Sequence, residues 1–276
     1  MTHTIDGSTR IYAVFGDPVA QVQTPRLANP LFEAAGANIV ALPFHVSPNN
    51  LSAAWEVFRS LPNIAGIGVT VPHKIAAAGL CDTLTPAARA VGVANAIQRG
   101  ADGRMHGALF DGDGFVRGVG AARLAGRRVL LVGAGGAGRA IAFALACAGV
   151  AKLTVFDCDA DAAEATVTMV TQLTPGVVHS GGPEIADHDM VINATPMGLK
   201  AGDAFPIDLA ELSTKVLVAD IAALDRETEL LRHARSIGCA TSDGNDMLTA
   251  QISLIAGFAA GQPAGEPLVS RQSAAP

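Results

Sequence analysis

An α/β fold in two parts follows from three features of these 276 residues. Short β-branched runs alternate with helix-like segments, the pattern of a sheet with crossover helices. From Arg127 the strand-like runs become continuously apolar, as strands covered on both faces must be. A glycine-rich turn joins one such run to an apolar helix, which adds a dinucleotide-binding, Rossmann-type domain to an N-terminal α/β domain.

Taken in order, IYAVF and NIVALPFHV read as strands, and Pro30–Ala35 and Leu51–Arg59 as helices. GIGVTV, VANAIQR and MHGALF add three strand candidates before Asp111. The stretch near 112–126, around DGDGFVRGVGAARL, reads as a linker or hinge helix and marks the domain boundary. Beyond it come RRVLLV, a small-residue helix, the strand LTVFD and the helix ADAAEATVTMVTQL. The strands DMVINAT and KVLVADI follow, then helices at Thr228–Arg235 and Asn245–Gly257. The Pro/Gly/Ala/Ser-rich tail from Gly261 is expected to fray.

Composition narrows the function. Net charge is −6 with no basic cluster, which argues against a nucleic-acid partner, because neutralising phosphates needs concentrated Lys and Arg. The longest apolar stretch, Ala140–Ala151, falls short of the ~20 residues that span a bilayer. MTHTIDGSTR lacks the basic-then-apolar order of a secretory leader. The expectation is a soluble, cytoplasmic protein, monomeric or homodimeric, whose partner is a small molecule. Cys81, Cys147, Cys158 and Cys239 are scattered and read as buried free thiols, and no His or Cys pair has metal-ligand spacing. No metal is expected.

Gly133, Ala134, Gly135, Gly136, Ala137 and Gly138 satisfy G-x-G-x-x-G directly after VLLV and at the start of a helix. The first glycine makes the turn and the second admits a pyrophosphate. The third brings helix against strand, and the helix N-terminus offers N–H groups to the diphosphate. Asp157 ends the next strand, placed to accept the adenosine ribose hydroxyls. The run Asp157-Cys158-Asp159 would repel a 2′-phosphate, so NAD is favoured, with NADP as the alternative.

Several segments together resemble the shikimate/quinate dehydrogenase family. Gly68-Val69-Thr70-Val71-Pro72-His73-Lys74 is similar to the family's N-V-T-x-P-x-K, and Val93-Ala94-Asn95-Ala96 to its A-V-N-T. Gly107–Asp111 falls where the family has G-x-N-T-D, and Asn193–Gly198 reads N-A-T-P-M-G. Asp220…Thr228-Glu229-Leu230-Leu231 and Gly244…Met247-Leu248…Gln251 complete the order, which covers nearly the whole chain. The resemblance implies a substrate domain at 1–112 to which 245–276 returns, and a dinucleotide domain at 113–244. It implies Lys74 and Asp111 as the catalytic pair, with Thr70, Asn95 and Gln251 as binders of substrate hydroxyls. Thr195, Ile221 and Gly244 join the cofactor site. The chemistry agrees, since oxidising a secondary alcohol needs a base beside the hydroxyl as hydride leaves.

Departures fall on the substrate side. The family's S-x-S or S-x-T, which grips a carboxylate, is Val22-Gln23-Thr24 here. Val22 offers no hydroxyl, Thr24 keeps one, and Gln21 or Gln23 would have to replace the other. Gly68 replaces an Asn, Ala223 a Tyr, and Leu109-Phe110 an Asn-Thr. The expected function is a divergent hydride transfer on a shikimate- or quinate-type ring hydroxyl. The alternatives are a dehydrogenase of an unrelated alcohol and a non-catalytic NAD-binding regulator.

Overall fold

The computed structural model describes residues 5–200 and 202–270. Their strands are β1 (Arg10–Gly16), β2 (Ile39–His45), β3 (Ile64–Val69), β4 (Thr83–Leu84), β5 (Ala96–Arg99) and β6 (Met105–Ala108). β7 (Arg128–Val132), β8 (Lys152–Phe156), β9 (Val178–Ser180), β10 (Met190–Asn193), β11 (Leu217–Asp220) and β12 (Ala240–Ser242) follow. The helices are α1 (Thr24–Ala35), α2 (Leu51–Ser60), α3 (Lys74–Leu80), α4 (Pro86–Val91) and α5 (Asp111–Val119), then α6 (Gly136–Cys147), α7 (Ala160–Thr171), α8 (Glu229–Ile237) and α9 (Gly244–Ala259).

The chain divides into two compact units. The first runs to Phe110 and resumes at Gln251, and the second is Asp111–Ala250. The first holds a six-stranded mixed sheet in the order β2-β1-β3-β5-β6-β4. β1 pairs in parallel with β2 and β3, while β5 lies antiparallel between β3 and β6. One core of this unit gathers Phe15, Trp55, Ile67 and Ile97, with Phe15 and Phe58 edge-on at 5.0 Å. Elsewhere in the unit, Gln98 Nε2 donates to Phe258 O at 2.8 Å, tying β5 to the end of α9.

The second unit is a parallel sheet in the order β12-β11-β10-β7-β8-β9. This is the doubly wound order, with its switch point between β7 and β10. Val129 and Leu131 enter one core while Leu130 and Val132 enter another, which is why β7 is apolar at successive positions.

Three expectations change. The stretch after Asp111 is a packed helix: a Cβ on Gly112 would strike the Ala140 carbonyl of α6, and one on Gly118 would lie 2.7 Å from Met247 N. These contacts place α5 and the start of α9 in the second unit, so the division falls at Phe110/Asp111 and Ala250/Gln251, away from the expected 112/113 and 244/245. The described tail folds back, with Leu268 N donating to Ser253 O at 3.0 Å against Gly257. Cys147 and Cys158 are exposed, Cys81 is half-buried and only Cys239 is buried. The start of the leader reading (residues 1–4) and the end of the tail (271–276) lie outside the described residues. Among the described residues no helix is long and apolar enough to cross a membrane, and no acidic, His or Cys group could hold a metal.

Candidate active site

In the first unit the residues expected to meet substrate collect at the C-terminal end of β3. Thr70 follows that strand, its N–H donating to Phe15 O at 3.0 Å. Lys74 opens α3, and its carbonyl accepts the Ala94 N–H at 3.0 Å. Asn95, 3% exposed, receives the Val69 N–H on its carbonyl at 3.0 Å. Bonds from Val69, next to Thr70, to Asn95 and from Ala94, next to Asn95, to Lys74 bring the three segments into one corner. Asn95 Oδ1 also accepts the Phe110 N–H at 3.0 Å, fixing the residue that precedes Asp111. Asp111 begins α5 in the second unit and is buried. Gln251 is buried where α9 re-enters the first unit.

The turn before α1 lies beside this corner. Asp17 N donates to Val71 O at 3.1 Å, and Gly16 leaves room that Thr70 Cγ2 fills. His45 Nε2 and Asp17 Oδ1 are 2.7 Å apart. Val22 is half-buried, and Thr24 is the first residue of α1. Gln21 Nε2 donates to Pro18 O and Gln23 Oε1 accepts from Arg26 Nε, each at 2.8 Å.

The second unit assembles the dinucleotide side. Gly133 has φ +106°, a conformation that needs glycine, and a Cβ on Gly138 would strike the Gly133 carbonyl. Gly135 and Gly136 face open space, and α6 starts with no side-chain cap, so its first N–H groups are available to an anion. These residues fit a diphosphate. Asp157 Oδ2 accepts the Ala134 N–H at 2.7 Å and Oδ1 accepts that of Asp159 at 2.9 Å. Burial would raise the Asp157 carboxyl, yet these backbone donors and the Cys158 thiol together hold it below the usual range.

Gly133 lies against Ala194, next to Thr195. Ile221 N donates to Asn193 O at 3.1 Å, and Gly244 packs on the Ile221 carbonyl. The expected cofactor residues thus converge at the C-terminal ends of β7, β8, β10 and β11. Two functional candidates escape a reading by motif. Arg139 Nε donates to Ala134 O at 3.3 Å, setting a cation at the glycine turn, and its position right after Gly138 was the available signal. Asp220, visible only as a motif letter, is the hub of a buried network.

A glycine cradle at the switch point of a parallel sheet, with a carboxylate at the end of the next strand, has the form of a dinucleotide-binding unit. Residues 14–97 match the family model described as the shikimate dehydrogenase substrate binding domain. Shikimate dehydrogenase (NADP(+)) of Symbiobacterium thermophilum is 36% identical over 264 residues, 90% of this chain and 88% of that one. Two solved structures are also alike. Shikimate 5-dehydrogenase from Listeria monocytogenes, in complex with shikimate and NAD, has a TM-score of 0.86 at 27% identity, covering 96% of each chain. The ligand-free 5-ketofructose reductase of Gluconobacter sp. strain CHM43 has a TM-score of 0.84 at 28% identity, covering 95% of each. The chain belongs to the shikimate dehydrogenase family, and is an NAD(P)-dependent oxidoreductase acting on a CH–OH group. NADP(+) in the relative's name stands against the NAD preference expected from Asp157 and Asp159.

Proposed function

We propose that this chain transfers hydride reversibly between NAD(P) and a ring hydroxyl of a shikimate- or quinate-type cyclic polyol acid. The observation that carries this reading is the corner at the end of β3, where Val69 N donates to Asn95 O and Ala94 N to Lys74 O, and Asn95 anchors Phe110 ahead of Asp111. When bound, the nicotinamide supplies the hydride acceptor or donor. Lys74 and Asp111 hold the reacting hydroxyl and between them take its proton. Asn95, its Oδ1 committed to Phe110, turns the donor end of its amide to a substrate hydroxyl, and Thr70 and Gln251 hold further hydroxyls.

A panel of shikimate, quinate and amino-substituted analogues, each with NAD and NADP, tests the reading at the reduced-nicotinamide absorbance. Turnover of a ring acid is expected, with Lys74→Met and Asp111→Asn each losing ~10²–10⁴-fold in kcat. Turnover of none of these acids by the intact protein would sink it.

NAD is the preferred cofactor in this reading. The run Asp157–Asp161 after β8 carries three acids and no Lys or Arg to pair a 2′-phosphate. Asp157 Oδ1 already accepts from Asp159 N and the Cys158 thiol, whereas Oδ2 accepts only Ala134 N among these bonds and retains a lone pair for a ribose hydroxyl. A kcat/KM higher with NADP than with NAD would overturn this preference. Free thiols at Cys147 and Cys158 support a cytoplasmic location. The assembled form is a monomer or homodimer, which sedimentation resolves.

A further inference from the structure

Two neighbouring strand ends in the second unit meet at one buried carboxylate. Asn193 closes β10 and Asp220 closes β11, and the two are register partners exposed by 0% and 1%. Asp220 Oδ1 accepts from Asn193 Nδ2 and from Ala222 N, each at 3.2 Å, and Oδ2 accepts from Thr228 Oγ1 at 2.8 Å. Asn193 Nδ2 also reaches Met197 O at 3.0 Å. The other end of that amide faces forward: Asn193 Oδ1 accepts Thr195 N at 3.0 Å and Thr195 Oγ1 at 2.7 Å. Thr195 Oγ1 then receives Met197 N at 3.1 Å.

An ionised carboxylate only accepts hydrogen bonds, so it selects the NH₂ end of the facing amide. That choice leaves the amide oxygen for Thr195. Reversed, the amide would set its oxygen against Asp220 and its NH₂ against the Thr195 N–H. The same carboxylate grips Ala222 N, the residue after Ile221.

We propose that Asp220 is a positioning residue for the dinucleotide, acting through Asn193 on the Thr195–Gly198 loop and through Ala222 on Ile221. The inference rests on the reading of Thr195 and Ile221 as cofactor contacts. Asp220 couples those two segments, so that both present to the cofactor in one arrangement. Its third bond, to the Thr228 hydroxyl that caps α8, ties the same carboxylate to a purely structural element.

The two roles separate by experiment. Asp220→Asn places an amide against the Asn193 amide. It is expected to raise the dissociation constant for NAD, and its KM, about tenfold, the usual effect of losing one hydrogen bond to a charged group. kcat at saturating dinucleotide should stay within about twofold, since a misplaced loop that still closes on bound cofactor leaves the proton-transfer groups alone. Thr228→Val removes the hydroxyl that caps α8, and with it the third bond to Asp220, but leaves the bonds from Asn193 and Ala222 in place. It should lower the melting temperature while leaving the NAD dissociation constant within about twofold. Asn193→Ala carries the lesion from the other side and should weaken NAD about tenfold, with Asp220→Asn adding little on that background. This variant also serves if Asp220→Asn does not fold. An Asp220→Asn protein that binds NAD like the parent, or a Thr228→Val protein that weakens NAD equally, would overturn the positioning role. A parent protein that binds neither NAD nor NADP would overturn the cofactor reading and this inference with it.

Discussion

Val22 stands where the family resemblance expects a hydroxyl for a substrate carboxylate. Of the two glutamines able to replace the lost hydroxyl, Gln21 donates its NH₂ to Pro18 O, while the bond from Arg26 engages only the oxygen of Gln23. Val22→Ser should tighten a carboxylate-bearing substrate about tenfold, the usual gain from one hydrogen bond to a charged group. KM for shikimate and quinate reads it, and an unchanged KM means the turn does not face the carboxylate. A second residue test concerns Tyr12, fully buried, whose hydroxyl has no hydrogen-bond partner among the described residues. Burial alone pushes its phenol well above the usual range. Tyr12→Phe removes an unsatisfied polar group and is expected to stabilise the protein by ~1 kcal/mol, seen as a raised urea midpoint. A lowered midpoint would mean the hydroxyl has a partner after all. At this scale the sequence announced the glycines, Asp157 and Lys74, because each sits in a motif with a mechanism. It left Asp220 as a letter in a pattern and gave Asn95 a substrate role without its structural one. Their work depends on Phe110 N and Thr228 Oγ1, partners that only folding brings near.

Elements read from sequence in proportion to their length and burial. β7, β10 and β11 stand out because both faces are covered, whereas β4, β9 and β12, two or three residues each, carry too few side chains to show a period. α1 begins at Thr24, well before the stretch 30–35 that its composition marks, because Pro25 suits a first turn and Pro30 is tolerated within the helix. α1 also guards the outer strand of its sheet. Asn29 Nδ2 donates to Ala41 O at 3.1 Å and Asn29 Oδ1 accepts Ala41 N at 2.7 Å, closing the free edge of β2. Asn29→Ala should promote self-association, visible by light scattering on concentration. On β8, Thr154 Oγ1 meets His179 Nε2 at 3.1 Å and His188 Nε2 at 2.8 Å. Burial, then Lys152, holds both imidazoles below their ordinary 6.5. The unfolded chain therefore takes up these protons first as pH falls. The stability they contribute is full above pH ~6.5 and is lost progressively below it. Urea unfolding at pH 7.5 and 5.5 should show that loss, and His188→Asn should flatten it.

At the scale of the molecule, the first unit is built from two separated lengths of chain, and this makes its stability depend on the far end of the sequence. The return of α9 was legible only through the ordered motifs, because no local pattern tells a final helix which sheet it rejoins. From Gln251 onward α9 contributes Ile252, Leu254, Ile255 and Phe258, each at most 5% exposed. Phe258 stacks edge-on with Phe110 at 5.7 Å and its carbonyl holds Gln98. Four such side chains at about 1.5–3 kcal/mol each amount to roughly 6–12 kcal/mol, comparable to the whole stability of an ordinary domain. The two cores of the second unit include no residue beyond Met247. A chain ending at Ala250 should therefore keep its parallel sheet and glycine turn while losing the mixed sheet. Such a chain is expected to bind dinucleotide, with the sign of a thermal shift, and to turn over no substrate. Limited proteolysis should cut it within the segment up to Phe110 and spare 128–242. Equal cleavage of both segments would show that the second unit needs the first in order to fold, and that the two cores are energetically one.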